Sequence, residues 1–71
     1  SYTAWYYHGI ILRKLGQNDN AVLSYDQAIR IQPLSSEAWY SRGLVLDEMA
    51  RDEDALASFD KAIQLKPDYA Q

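Results

Sequence analysis

Thirty-four residues separate two near-copies of one pattern in this chain. Trp5 recurs as Trp39, Gly9 as Gly43, Leu12 as Leu46, Ala21 as Ala55, Tyr25 as Phe59, Ala28 as Ala62 and Pro33 as Pro67. Laid over one another, residues 1–37 and 35–71 agree at twelve of thirty-seven positions, mostly where packing or turn geometry is set. A fixed period of this length marks a stacked-repeat architecture, because each unit cannot bury its apolar face alone. It argues for a binding surface rather than a catalytic centre. The partner is not written in it.

Composition narrows the alternatives. A chain of 71 residues makes one small domain, and at that size only about 60% of the unfolded surface is buried on folding. The absence of cysteine removes disulfides, thiolate metal ligands and thiol nucleophiles together. It fits a reducing, cytoplasmic setting, which is the expected location. No apolar run approaches the roughly 20 residues needed to span a bilayer, so direct membrane insertion is not expected. The charge is lopsided. Residues 1–34 carry Arg13, Lys14 and Arg30 against Asp19 and Asp26, a net of +1. Residues 35–71 carry four basic and eight acidic groups, a net of −4. The total of −3 lacks the basic footprint that nucleic-acid binding needs.

Apolar spacing predicts four helices in two copies. Trp5, Tyr6, Gly9, Leu12 and Leu15 follow the three-and-four spacing of one helical face over residues 3–15. Asn18, Asp19 and Asn20 then offer acceptors for a new helix start. The second helix carries Ala21, Leu23, Tyr25, Ala28, Ile29 and Ile31, and Pro33 stops it. Ser35 or Ser36 can cap a third helix through Trp39, Gly43, Leu46 and Met49, with Glu37 in its positive first turn. After Arg51 and Asp52, a fourth carries Ala55, Leu56, Phe59, Ala62, Ile63 and Leu65 to a stop before Pro67. Gly9 and Gly43 sit mid-helix, where glycine costs about 1 kcal/mol relative to alanine. The same cost in both copies predicts close helix approach. Ala21, Ala28, Ala55 and Ala62 are expected to face it, with Trp5, Tyr25, Trp39 and Phe59 filling the wider gaps.

These residues resemble the tetratricopeptide repeat: Trp5, His8–Gly9, Leu12, Ala21, Tyr25, Ala28 and Pro33, then Trp39, Arg42–Gly43, Leu46, Ala55, Phe59, Ala62 and Pro67. The match spans two units, Tyr2–Ser35 and Ser36–Tyr69, within one repeat domain covering residues 1–71. His8 and Arg42 stand where the family usually has leucine, and Leu12 and Leu46 where it has tyrosine. The resemblance implies an all-α fold of two helix-turn-helix units, four antiparallel helices stacked as a short right-handed α-solenoid. It also implies a protein-interaction module whose first helices line a concave groove for a peptide or partner helix.

Carried onto this sequence, the groove residues are Thr3, Tyr6, Tyr7, Ile10, Arg13 and Lys14, then Glu37, Tyr40, Ser41, Leu44, Asp47 and Glu48. The partner-binding candidates among them are Tyr6, Tyr7, Ile10, Arg13, Lys14, Tyr40, Ser41 and Leu44. Tyrosine offers large contact area at low ordering cost, with a hydroxyl that can stay hydrated. The family's carboxylate clamp of lysine, asparagine and arginine is missing, since Tyr6, Ile10 and Ser41 occupy its places. An apolar or mixed-charge ligand is therefore expected rather than an acidic tail. No cofactor, metal site or catalytic set is expected. His8 is the lone imidazole, the serines have no visible activating partner, and the acidic stretch around Asp47–Asp54 lacks the spacing and glycine of a calcium loop.

Stacked repeats need something over their last helix. The chain stops at Gln71, where a third unit would begin, and is expected to be part of a longer array or multidomain protein. Leu56, Phe59, Ile63 and Leu65 are the candidates for repeat stacking or self-association, with Tyr69 a possible minimal cap. The alternative function is accordingly a structural spacer or self-assembly unit, with homo-oligomers forming through the groove or the uncovered last helix.

Overall fold

Only three residues separate the first helix from the second, and three the third from the fourth, so each pair can only lie antiparallel and adjacent. The computed structural model describes residues 1–66. They form α1 (Tyr2–Lys14), α2 (Asn18–Ile31), α3 (Ser36–Glu48) and α4 (Asp52–Leu65), with no strand among the described residues. The α1–α2 and α3–α4 hairpins join where α2 packs on α3, giving two helix-turn-helix units in a short α-solenoid. The expected stop at Pro67 and the role suggested for Tyr69 lie outside the described residues.

Both hairpins turn by the same device. After α1, the Gly16 N–H bonds to the Arg13 carbonyl at 3.0 Å and the Gln17 N–H to the Leu12 carbonyl at 2.9 Å. After α3, Ala50 bonds to Asp47 at 3.0 Å and Arg51 to Leu46 at 2.9 Å. This paired closure requires a left-handed residue just past the helix. Gly16 adopts it at φ 79°, and Ala50 adopts it at φ 59° despite its Cβ. The first and third helices are capped by Ser1 and Ser35, whose hydroxyls accept from the Ala4 and Ala38 N–H groups. The second and fourth are not. Gln17 and Arg51 hold the cap positions without a side-chain bond, and Asn18, expected to supply one, already lies in the first turn. The paired turn leaves no residue between itself and the helix for a separate cap.

The core runs through both units: Ala21, Val22, Tyr25, Val45, Leu46 and Ala55 are buried together. Leu46 alone contributes about 1.5–3 kcal/mol by leaving water. Close approach at the mid-helix glycines is real, and the atoms nearest the missing Cβ belong to an aromatic ring. A Cβ on Gly9 would stand 2.7 Å from the Tyr25 ring, and one on Gly43 2.7 Å from the Phe59 ring. Alanine cannot reach across to fill that notch; the ring occupies the volume the glycine vacates. The tryptophans lie at the margin instead. Trp5 is exposed and edge-on to His8, while the Trp39 indole N–H donates to the Pro33 carbonyl at 2.9 Å.

Candidate partner-binding surface

Helices α1 and α3 run parallel, and side chains join them at three levels. Near their N-termini the Tyr2 and Ser35 hydroxyls are 2.7 Å apart. Midway, the Tyr6 hydroxyl lies 3.3 Å from Ser41 Oγ. At the C-terminal ends Arg13 donates twice to Glu48, from Nε at 3.0 Å and Nη2 at 2.7 Å. Arg13 suits the negative end of α1, whereas Glu48 sits at the unfavourable end of α3. The fork-to-carboxylate bond offsets that conflict. It also pulls the Glu48 carboxyl below its ordinary range and raises the Arg13 guanidinium. Opposite charges at the two helix ends thus meet each other.

This seam sorts the eight candidate contact residues. Tyr6 is half-buried, stacked on Tyr2 with ring centroids 5.7 Å apart and tilted against Tyr25 at 6.1 Å. Ile10, Ser41 and Leu44 are also half-buried. Arg13 is engaged by Glu48, and Lys14 is exposed. Tyr7 and Tyr40 present the large accessible rings, at 58% and 41% exposure. Tyr7 meets Tyr6 edge-on at 5.5 Å, and Tyr40 leans on Phe59 at 5.6 Å. A cleft at the N-terminal end of this face is lined by Tyr2, Gln32, Pro33, Leu34, Ser35 and Glu37. Burial, then the nearby Tyr6, pushes the Tyr25 hydroxyl up.

On the opposite side, His8 and Arg42 use their shared repeat position in the same way. His8 Nδ1 lies 2.7 Å from Ser24 Oγ, and Arg42 Nη1 donates to Ser58 Oγ at 2.7 Å. Both serines are buried. A polar side chain replaces the family's leucine, and a buried hydroxyl on the second helix answers it. The histidine–serine contact is a structural tie: in the second copy arginine, which cannot act as a base, fills the same role. Arg42 also donates from Nε to Asp26 at 2.7 Å, bridging the two units. Sequence reasoning passed over Ser24 and Ser58. Their signal was a polar identity repeated within an otherwise apolar stripe.

The four stacking candidates divide. Leu56 and Ile63 are exposed on α4, Leu65 is half-buried, and the half-buried Phe59 faces inward over Gly43. Among the described residues no group of three or more acidic, histidine or cysteine side chains could hold a metal ion. None of their helices is long and apolar enough to cross a membrane.

Two parallel first helices backed by two second helices, with glycine under an aromatic ring in each unit, define a helical-repeat scaffold. The family model described as Tetratricopeptide repeat matches residues 3–70. The chain belongs to the tetratricopeptide repeat family, a fold that generally serves as a protein–protein interaction scaffold. No curated protein matches the sequence. Among solved structures, the chain is similar to one titled "Crystal structure of MamA", with 27% identity and a TM-score of 0.91. The similarity covers 99% of this chain and 41% of that one. The chain therefore spans less than half the length of that relative.

Proposed function

We propose that the α1–α3 face receives a peptide segment or helix of a partner protein, with Tyr7 and Tyr40 as its principal contacts. The observation that carries this reading is two large, accessible tyrosine rings on helices locked side by side. The Tyr6–Ser41 and Arg13–Glu48 bonds already hold the helices in register. A prearranged aromatic surface has little ordering left to lose on binding. Pairing of Arg13 with Glu48 leaves two of this face's charges satisfied by each other. The preferred ligand is then apolar or mixed in charge, with Lys14 available at one end.

Selection of peptides from a random displayed library on the intact chain provides the test. Tyr7→Ala and Tyr40→Ala should each weaken the selected peptides by roughly tenfold, the loss typical of a contact worth 1–2 kcal/mol. Helical content should remain unchanged. Equal binding by both variants would overturn this reading.

A further inference from the structure

The cleft at the N-terminal end of the α1–α3 face is walled by both units. Tyr2 comes from α1, Pro33 and Leu34 from the turn between the units, and Glu37 from the first turn of α3. The Tyr2 hydroxyl is tied to Ser35 at 2.7 Å, which anchors its ring against the start of α3. Leu34 is 78% exposed and offers apolar surface beside it. Glu37 is the one ionised group among the lining residues, and none of them is basic. Its Oε1 accepts from the Ser35 and Ser36 hydroxyls at 3.3 and 3.4 Å. A bond from its own backbone N–H, then Lys66 and those hydroxyls, hold the carboxyl below its ordinary range. The carboxylate already occupies the positive end of α3, so that end does not turn the cleft toward anions. Its other oxygen, Oε2, lies 3.8 Å from Lys66 Nζ, with both side chains about half exposed. So long and solvent-screened a contact contributes little to stability. It does show that a cation approaches Oε2.

We infer that this cleft takes a lysine or arginine side chain of the partner segment, its stem along Pro33 and Leu34 and its charge on Glu37 beside the Tyr2 ring. The inference rests on the proposed role of the α1–α3 face and gives that face's ligand a charge and a direction. Long basic side chains lay an aliphatic stem on apolar surface and keep the charged tip wet. An aromatic ring beside the tip adds cation–π attraction. An apolar side chain in the same place would desolvate the Glu37 carboxylate without pairing it. The rings of Tyr2, Tyr6 and Tyr7 lead from the cleft to the accessible tyrosine, with successive centroids 5.7 and 5.5 Å apart. From Tyr2 to Tyr7 the helix rises roughly 7.5 Å, or about two residues of extended peptide. The basic residue thus lies a few positions from the segment that covers Tyr7, and it displaces Lys66 from Glu37.

Peptides selected from a random displayed library on the intact chain test the inference. They should carry lysine or arginine at one position, and a synthetic copy with norleucine there should bind several-fold more weakly. On Glu37→Gln the basic and norleucine copies should bind alike, with helical content unchanged by circular dichroism. Lys66→Met removes the internal competitor and should tighten the basic copy only. Selection on Glu37→Lys should yield aspartate or glutamate at that position, a reversal that a purely structural role would not produce. Selection on the wild type without a basic position overturns the inference, as does equal binding of the basic and norleucine copies. Acidic residues selected by the wild type would overturn it in favour of an anion held at the start of α3. Failure of the face itself looks different. Tyr7→Ala and Tyr40→Ala would then leave every peptide unaffected while Glu37→Gln still acted.

Discussion

Leu12 and Leu46 hold one place in their two repeats, yet Leu46 is fully buried and Leu12 only half-buried. Ala4 and Ala38 differ in the same sense, as do Ile11 and Val45. The local structure of the units is nearly identical, down to the turn closures and the ring over each glycine. What differs is the company each helix keeps. Helix α3 is packed by both α2 and α4, whereas α1 has a helix-sized neighbour mainly in α2. Burial in a repeat protein is therefore a property of the junction more than of the repeat.

Truncating the paired leucines puts the largest strain on this comparison. Leu46→Ala should cost about 2–5 kcal/mol, the range for a fully buried leucine, and Leu12→Ala well under half of that. In a chain this small the first change could unfold the protein outright. Urea midpoints would show it, and equal losses at the two positions would break the junction argument.

The turns sharpen the comparison from the opposite direction, because there the units differ in residue and agree in environment. Ala50 holds a left-handed conformation that Gly16 adopts without steric penalty. Ala50→Gly should stabilise the chain by roughly 0.5–1 kcal/mol, and Gly16→Ala should destabilise it by about 1 kcal/mol. No atom crowds the Gly16 Cβ site, so backbone conformation alone sets that cost. Denaturation midpoints moving the same way for both exchanges would refute it.

The smallest effect comes from Tyr25, whose counterpart Phe59 cannot ionise. Burial raises the Tyr25 hydroxyl above its ordinary value of about 10. An acid raised in the folded state contributes stability that is fully present below its unfolded value. That contribution is lost as pH rises through the folded value. Stability should therefore decline above about pH 10, and Tyr25→Phe should flatten part of that decline. A variant with an unchanged alkaline slope would show that Tyr25 is not the residue responsible.

Much of the fold was legible because it is local. Helix spacing, Pro33 after α2 and a mid-helix glycine in each copy placed the elements to within a residue or two of Tyr2–Lys14 and its successors. The start of α2 was read less well. Asn18, Asp19 and Asn20 look like caps, but the turn after Gly16 carries the chain into the helix before they can act. The candidate surface was legible as a set of positions and not as a set of states. Helix spacing put Tyr6, Tyr7 and Tyr40 within the first helices, and the resemblance to the repeat family implied that they line the groove. That Tyr6 is half-buried beside Ser41 while Tyr7 stands out depends on how α1 meets α3.

Alone, the sequence determined the period, the number and type of the four helices, and the stop at Pro33. Each of these rests on backbone preferences and apolar spacing within a few residues of the chain. The tertiary structure decided which charges pair, which hydroxyls are buried and which apolar faces remain exposed. Arg13 and Glu48 are thirty-five residues apart, Arg42 and Ser58 sixteen. Their meeting is set by the crossing of helices, which no local pattern encodes.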